Sequence, residues 1–262
     1  MRICALMENT AKEGLAAAHG LSVYVETEKH RILVDAGPDW NFLANASRLN
    51  IDLSLVDLVF LSHGHYDHAG GLSEFMRIND HAVIYAAEGF DLPHYDRNGK
   101  YIGVEPLLSG HPRVKVLSGD LQIDSEVRIL ASKGRERLYD AGNNGMSEGG
   151  YDGARVWPET FAHEHYLVVG DVLFSGCSHA GIVNIAEWGK PCGVRTIVGG
   201  FHFMDVKPEE FSSLDGIAGQ LLASGMKFYT GHCTGLAQYE YLKGIMGRAL
   251  DYLKAGDDIC LN

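Results

Sequence analysis

The chain has 262 residues, 46% hydrophobic and 21% charged, which is enough apolar material for a folded core and too much for a disordered chain. No run approaches the ~18 apolar residues of a membrane span, and five cysteines without a Cys-x-x-Cys spacing do not build a disulfide framework. A formal net charge of −12 opposes tight non-specific binding to nucleic acid or anionic lipid, so neither is expected as a partner.

In chain order, the opening MRICALMENT lacks the long apolar core of a secretory signal, which predicts a cytoplasmic protein. Runs rich in Val, Ile, Leu and Tyr at Arg2–Met7, Leu21–Glu26 and Arg31–Val34 predict strands. Pro38 opens a predicted helix to about Leu49. The segment VDLVFL, Val56–Leu61, is almost wholly apolar and predicts a strand buried on both faces. A Gly-Gly turn at 70–71, a short helix and a strand at Ala82–Tyr85 follow. From about Glu88 to Gly153 the chain is rich in Gly, Asn and Tyr and reads as a hairpin region followed by a long loop able to cover a site.

Strands Tyr166–Val169 and Val172–Phe174 meet at Gly170-Asp171, a hairpin-turn signal. Strand Arg195–Val198, helix Pro208–Ala223, strand Lys227–Tyr229 and helix Leu236–Leu253 complete the pattern. With no repeat or linker, the expectation is a single domain over residues 1–262 with an irregular insertion around 88–153. Each half runs from strand-rich to mixed strand and helix. Two face-to-face sheets with helices outside accommodate that order, an α/β (α+β) four-layer αβ/βα sandwich.

The predicted buried strand runs into Ser62-His63-Gly64-His65-Tyr66-Asp67-His68-Ala69-Gly70-Gly71. Alternation at the strand end lets His63 and His65 point the same way, while Asp67 and His68 turn back from the loop. Imidazole and carboxylate suit zinc, iron or manganese, and Gly64 removes a side chain where crowding is worst. Four ligands in one loop cannot close two metal shells. Three later histidines lie just past predicted strand ends: His179 in LFSGCSHAG, His202 in VGGFHF and His232 in FYTGHCTG. Strand ends at one sheet edge converge, so His179 and His232 are expected as ligands. His202 is either a ligand or substrate contact, or a packing histidine.

These residues carry a resemblance. His63-x-His65-x-Asp67-His68 after an apolar strand resembles the signature of the metallo-β-lactamase fold superfamily, and ILVDAG, Ile32–Gly37, is similar to its first motif. Within it the chain resembles the 7,8-dihydropterin-6-methyl-4-(β-D-ribofuranosyl)aminobenzene-5'-phosphate synthase family, through HGLSVYVET, LSHGHYDHAGGL, HEHYLVV, SGCSHAGIVNI, GGFHF and TGHCTG. The superfamily pattern implies that His63, His65 and His179 hold one divalent ion and Asp67, His68 and His232 a second. It implies that Asp35 supports the metal loop, and it makes Asp67 and His202 the residues expected to act in catalysis. Cys177 stands either as a bridging ligand or as a buried structural cysteine, and Cys233 as packing or support.

Weaker signals have plainer readings. His163-Glu164-His165 reads as a polar strand edge, and Lys133, Arg135 and Arg137 as a solvated turn rather than a phosphate site. Tyr95, Tyr101, Tyr139 and Tyr151 are either loop-packing tyrosines or a stacking surface for a flat ring, and Asn143-Asn144-Gly145 a tight turn. His19, His30, His81, His94 and His111 are read as structural or exposed. Two divalent ions, zinc by preference with iron or manganese as alternatives, would supply a metal-bound hydroxide near neutral pH and clamp an anion. The expected function is a dinuclear metal-dependent hydrolase of a small phosphorylated or ester-bearing anionic metabolite. The alternatives are a transferase joining a dihydropterin diphosphate to an aminobenzene ribofuranosyl phosphate, and a redox iron site or metal-binding protein without turnover.

Overall fold

The computed structural model describes residues 1–142, 144–150 and 155–261. Asn143 and Tyr151, named above for a turn and a stacking surface, lie outside the described residues. The chain begins with β1 (Arg2–Met7), β2 (Ser22–Glu26), β3 (Arg31–Val34), α1 (Asn41–Arg48), β4 (Leu58–Phe60), α2 (Tyr66–Ala69), α3 (Leu72–Ile78) and β5 (Val83–Ala87). The middle carries β6 (His94–Tyr95), β7 (Val114–Leu117), β8 (Leu121–Gln122), β9 (Val127–Ala131), β10 (Ser147–Gly149) and β11 (Val156–Pro158). The remainder is β12 (His165–Val169), β13 (Val172–Phe174), α4 (Ile182–Gly189), β14 (Thr196–Val198), α5 (Asp215–Ala223), β15 (Lys227–Thr230), α6 (Leu236–Met246), β16 (Leu250–Tyr252) and β17 (Asp258–Cys260).

Among the described residues these strands form one sheet in the order β17-β1-β2-β3-β4-β5-β7, a second in the order β16-β15-β14-β13-β12-β9-β8, and a small sheet β11-β10-β6. Period-2 alternation divides the side chains between layers. Ile3 and Ala5 of β1 join Val23, Val25 and Ile32 in a core that meets Val127, Ile129, Leu167 and Val169 of the second sheet. Leu6, Leu33, Val59 and Ile84 pack the other face of the first sheet under Phe42 and Ala46 of α1 and Leu72 and Phe75 of α3. Val168, Leu173, Ile197 and Phe228 do the same under α4, α5 and α6. Helices, sheet, sheet and helices make the four-layer αβ/βα sandwich that the element order predicts. Among the described residues no helix is long and apolar enough to cross a membrane.

Three readings change in detail. The middle third is less irregular than its composition suggests, because Val114–Leu117, Leu121–Gln122 and Val127–Ala131 supply strands to the two large sheets. The first two sit at sheet edges and are half-exposed, so they lack the apolar signature of a buried strand. The predicted helix over 236–253 stops at Met246, where Gly247 adopts φ +52, and Leu250–Tyr252 then pairs in parallel with β15. The predicted helix from Pro208 begins as a 3-10 stretch, Pro208–Leu214, before α5.

The β2–β3 turn is tied to the β8–β9 turn of the other sheet through His30. Its Nδ1 lies 2.5 Å from Asp57 Oδ2 and its Nε2 2.9 Å from Asp124 Oδ2. Burial would lower the His30 pKa, but the two carboxylates raise it above the ordinary value, and Asp124 falls to about 2. A raised histidine stabilises the fold fully below its unfolded pKa and loses that contribution as pH rises through the folded value. His30→Ala is expected to cost about 1 kcal/mol at pH 6, with the gap to wild type narrowing by pH 8.5, as measured in urea melts.

Candidate metal centre

Parallel strands β3 and β4 end at the same edge as parallel β13, β14 and β15, and the chemistry-bearing residues lie just beyond those ends. Asp35 follows β3, the 63–65 loop follows β4, Cys177 and His179 follow β13, His202 follows β14 and His232 follows β15. Asp67 and His68 sit in the single turn of α2. Gly64 allows this loop to form: a Cβ there would stand 2.0 Å from the backbone oxygen of Phe90. Of the seven described non-glycine residues with positive φ, all but Asn50 border this region: Asp35, Asn144, Phe161, Ser178, His202 and His232. Such backbone costs about 1–3 kcal/mol per residue and persists where the surroundings impose it.

The structure brings together all six histidine and aspartate residues expected as ligands. His63, His65 and His179 offer ring nitrogens that all lie within 4.8 Å of one another, with His63 Nε2 and His179 Nε2 3.3 Å apart. On the other side Asp67 Oδ2 lies 3.3 Å from His232 Nε2 and 3.8 Å from His68 Nε2. Tetrahedral ligation at ~2.0–2.1 Å separates neighbouring nitrogens by about 3.3–3.4 Å, so the closest of these spacings suit ligands of one ion. Cys177 Sγ is 3.1 Å from His68 Nε2 and groups both with His63 and His68 and with His232 and Cys233. It therefore stands between the two sets.

The hydrogen bonds on the far side of each ring decide which nitrogen faces inward. His68 Nδ1–H donates to Asp35 Oδ2 at 2.7 Å, which leaves its Nε2 lone pair toward the centre. The Ser62 hydroxyl donates to Asp35 Oδ2 at 2.7 Å, so its oxygen is free to accept from His63 Nδ1–H at 2.9 Å. His232 Nδ1–H donates to Asn9 Oδ1 at 2.8 Å, and His232 Nε2 is buried without any hydrogen-bond partner. His65 Nε2–H reaches Glu159 Oε1 at 3.0 Å, leaving Nδ1 for the site. A buried nitrogen that faces the Asp67 carboxylate at 3.3 Å without a well-formed hydrogen bond, within a set of imidazoles and a thiol, fits a divalent transition metal.

The electrostatics agree. Burial, then the neighbouring imidazoles, push His63 and His179 well below the ordinary histidine value, so both are neutral. Burial alone would raise Asp67, but His68 and His232 hold it well below the carboxylate range. Burial pushes the Cys177 thiol up.

Several surrounding residues escape a reading by local spacing. His163-Glu164-His165 is buried rather than a polar edge. Glu164 accepts the backbone N–H groups of His179 at 2.7 Å and Ala180 at 2.9 Å, shaping the loop that carries His179. Gly64 N–H donates to His163 Nδ1 at 3.0 Å, which places the His163 proton on Nε2, 2.6 Å from Glu159 Oε1. His94 Nδ1 lies 3.1 Å from the same oxygen. Burial would raise the Glu159 carboxyl, but His163, His65 and His94 hold it well below its usual range. His19, read as structural or exposed, has Nε2 3.4 Å from Asp67 Oδ2. The only early hint of the Glu159 group was the histidine-rich run four residues beyond it.

The site opens into a cleft of about 540 Å³ lined by His19, His65, Asp67, Cys177, His179 and His202, with Arg97 and Lys100 also on its wall. Arg97 pairs with Asp205, and Lys100 lies 5.5 Å from the centre of the Tyr66 ring. The basic residues of the 133–137 stretch are engaged elsewhere: Lys133 with Glu88, Arg135 with Asp120 and Arg137 with the Thr160 carbonyl. Tyr95 and Tyr101 pack edge-on against each other with centroids 5.8 Å apart.

A family model described as the Metallo-beta-lactamase superfamily matches residues 17–195. An uncharacterized protein of Methanocaldococcus jannaschii is 30% identical over 237 residues, covering 88% of this chain and 89% of that protein. The 7,8-dihydropterin-6-methyl-4-(beta-D-ribofuranosyl)-aminobenzene-5'-phosphate synthase of the same organism is 29% identical over 251 residues, covering 83% and 81%. Among solved structures, Tm1679, described as a metal-dependent hydrolase of the beta-lactamase superfamily, superposes with TM-score 0.82 and 26% identity over 100% of this chain and 99% of that one.

Glu159 generates a specific expectation. Glu159→Gln removes the charge that three imidazoles share and substitutes an N–H donor for one oxygen, so zinc affinity should fall about 10–100-fold while the fold is retained. Competition against a chromophoric chelator, with circular dichroism as the control for folding, measures both.

Proposed function

The chain belongs to the Metallo-beta-lactamase superfamily, and from that premise we propose that it is a metal-dependent hydrolase of small anionic metabolites. In this reading His63 Nε2, His65 Nδ1 and His179 Nε2 hold one divalent cation. Asp67, His68 Nε2 and His232 Nε2 would hold a second, and Cys177, which lies near both sets, would offer its sulfur. Zinc is the first choice for that mixture of nitrogen, oxygen and sulfur, with iron or manganese as alternatives. Both halves of the chain supply ligands, so it acts as one domain. The observation that carries the reading is the convergence of the His63, His65 and His179 nitrogens within 4.8 Å of one another, beside a His232 Nε2 that Asn9 turns inward to 3.3 Å from Asp67 Oδ2. Bound there, such cations activate a water and take up charge developing on the substrate oxygen.

The remaining roles belong to the protein. Asp67, kept ionised by His68 and His232, orients the attacking water. His202, which burial lowers to about 4 and so keeps neutral, accepts the Asn144 amide N–H at Nδ1 over 2.6 Å. Its Nε2–H is thereby left as a donor to the departing oxygen. Arg97 and Lys100 on the cleft wall stand beside Asp96 and Asp205, and Arg97 is paired with Asp205, so the attraction for an anion would come from the cations held by the histidines; a cleft of about 540 Å³ suits a metabolite rather than a polymer.

The likeness to the dihydropterin-ribofuranosyl-aminobenzene phosphate synthase over more than four-fifths of both chains favours a second reading. It is a transferase in which the cations held by these side chains would bind the diphosphate leaving group of a dihydropterin diphosphate while an aminobenzene ribofuranosyl phosphate attacks. Elemental analysis of anaerobically purified protein should find about two divalent ions per chain. His65→Ala should lose metal and ester hydrolysis together, and a variant keeping full turnover would overturn the site. Diphosphate release from the pterin substrate, with phosphodiesters and lactones left intact, would select the transferase instead. The cobalt-loaded protein should show a sulfur-to-cobalt charge-transfer band that Cys177→Ser removes.

A further inference from the structure

His19 lies on the wall of the cleft with its side chain 46% exposed, yet the backbone beneath it is anchored. Ala18 N–H donates to the Glu8 carbonyl at 3.1 Å, Gly20 N–H to Asn9 Oδ1 at 3.3 Å and Leu21 N–H to the Asp67 carbonyl at 3.2 Å. Gly20 holds φ +154, and a Cβ there would stand 2.4 Å from the same Asp67 carbonyl oxygen, so this segment lies directly against α2. The His19 ring stands beside that of His232 with centroids 4.8 Å apart, and its Nε2 is 3.4 Å from Asp67 Oδ2.

Position alone would let His19 ligate a cation together with Asp67 and His232, since one atom of each lies within 4.8 Å of the others. Asn9 argues against that. Its Oδ1 accepts from Gly20 N–H and from His232 Nδ1–H, and its Nδ2 donates to the His232 carbonyl at 3.2 Å, so backbone groups assign both ends of the amide. The same Nδ2 faces His19 Nδ1 at 3.4 Å. Two donors cannot face each other, so His19 Nδ1 is the acceptor and the proton of the ring sits on Nε2. His202 has the matching arrangement at the other ligand set. Its ring lies 4.3 Å from that of His179, an asparagine amide takes its Nδ1, and it lines the same cleft. Each set of ligands thus has beside it a neutral imidazole with Nε2–H available to the cleft.

We propose that His19 is a substrate-binding residue that donates its Nε2–H to a phosphoryl oxygen on the Asp67–His68–His232 side of the site, as the counterpart of His202 beside His179. The proposal rests on the hydrolase reading for the bound anion and on the Asn9 geometry for the donor. A phosphoryl group keeps a further oxygen for such a donor after two have met cations, which a carboxylate does not. The substrate class therefore narrows from anions in general to phosphate esters.

In the metal-free protein, long-range proton–nitrogen correlation spectra should show the His19 ring protonated at Nε2 and bare at Nδ1. In the zinc-loaded protein, His19→Ala should keep the zinc content of the wild type and bind inorganic phosphate about 10-fold more weakly by calorimetry, the loss expected for a hydrogen bond to a charged group. His19→Gln, whose amide nitrogen can take the place of Nε2, should restore most of that affinity. His19→Asn, whose amide reaches only the place of Nδ1, should not. A ring protonated at Nδ1, or zinc lost from His19→Ala, makes His19 a metal ligand and overturns the donor role. Equal phosphate affinity in wild type and His19→Ala, or equal losses in the Gln and Asn variants, overturns it too and leaves the hydrolase reading standing. Wild-type protein that takes up no zinc, or takes up zinc and binds no phosphate, overturns both.

Discussion

Imidazoles can crowd together in a protein interior only if they stay neutral and if each ring N–H finds an acceptor. That constraint organises this molecule. His63 and His68 both satisfy their outer nitrogens through Asp35, one by way of the Ser62 hydroxyl and the other directly. His65 does so through Glu159 and His232 through Asn9. Once the outer nitrogens are occupied, the inner nitrogens of His63 and His68 present lone pairs that repel across one space, while His232 Nε2 faces the Asp67 carboxylate, which raises its pKa against the effect of burial. Leaving a buried polar atom unsatisfied costs about 1–3 kcal/mol. The arrangement therefore depends on the rigidity of the surrounding structure, and a cation at the centre would remove the penalty.

The rigidity comes from the sandwich. Each half contributes parallel strands whose ends meet at one edge, and the loops leaving those ends are held by bonds to the opposite half. His165 N–H donates to the Ser62 carbonyl at 2.8 Å, and Asn9 Nδ2 to the His232 carbonyl at 3.2 Å. The backbone N–H of His232 also donates to Glu8, a buried carboxylate at the end of β1. Left-handed backbone at Asp35, Ser178, His202 and His232 is the local cost of aiming these side chains.

What could be read from the chain follows from how far apart the cooperating residues lie. The 63–68 loop announces itself because its spacing is local and it follows a run that alternates between two cores, Val59 into one and Leu58 and Phe60 into the other. His179, His202 and His232 were legible because strand, turn and helix signals surround each. Asp35 was legible only through a family likeness. Glu159 was not legible, since it meets His65 across 94 residues, and nothing in its own neighbourhood requires a buried carboxylate. The place of His94 beside Glu159 escaped for the same reason, since an isolated histidine in a polar segment is indistinguishable from an exposed one until the fold assembles, whereas His19 is exposed as its polar surroundings suggest and still reaches to 3.4 Å from Asp67. The edge strands of the middle third were missed because half-exposed edges carry mixed residues, and the end of α6 because one glycine outweighed an otherwise helical run.

The middle third has a double role that neither its composition nor its irregular turns foretold. From it come Glu159, which holds the His65 ring, and His94, which lies against the same carboxylate, and also Tyr139, Asn144 and Phe161, which border a small cavity of about 140 Å³ beside the cleft. The other ligand supports, Asp35 and Asn9, come from the first sheet and the loop after β1 and contribute nothing to that cavity. A change in this segment can therefore reshape that cavity without moving the 63–68 loop, provided Glu159 keeps its three imidazoles. The same segment cannot be lost altogether, because the orientation of His65 depends on it. One segment thus carries both the carboxylate that orients His65 and side chains that border the neighbouring cavity.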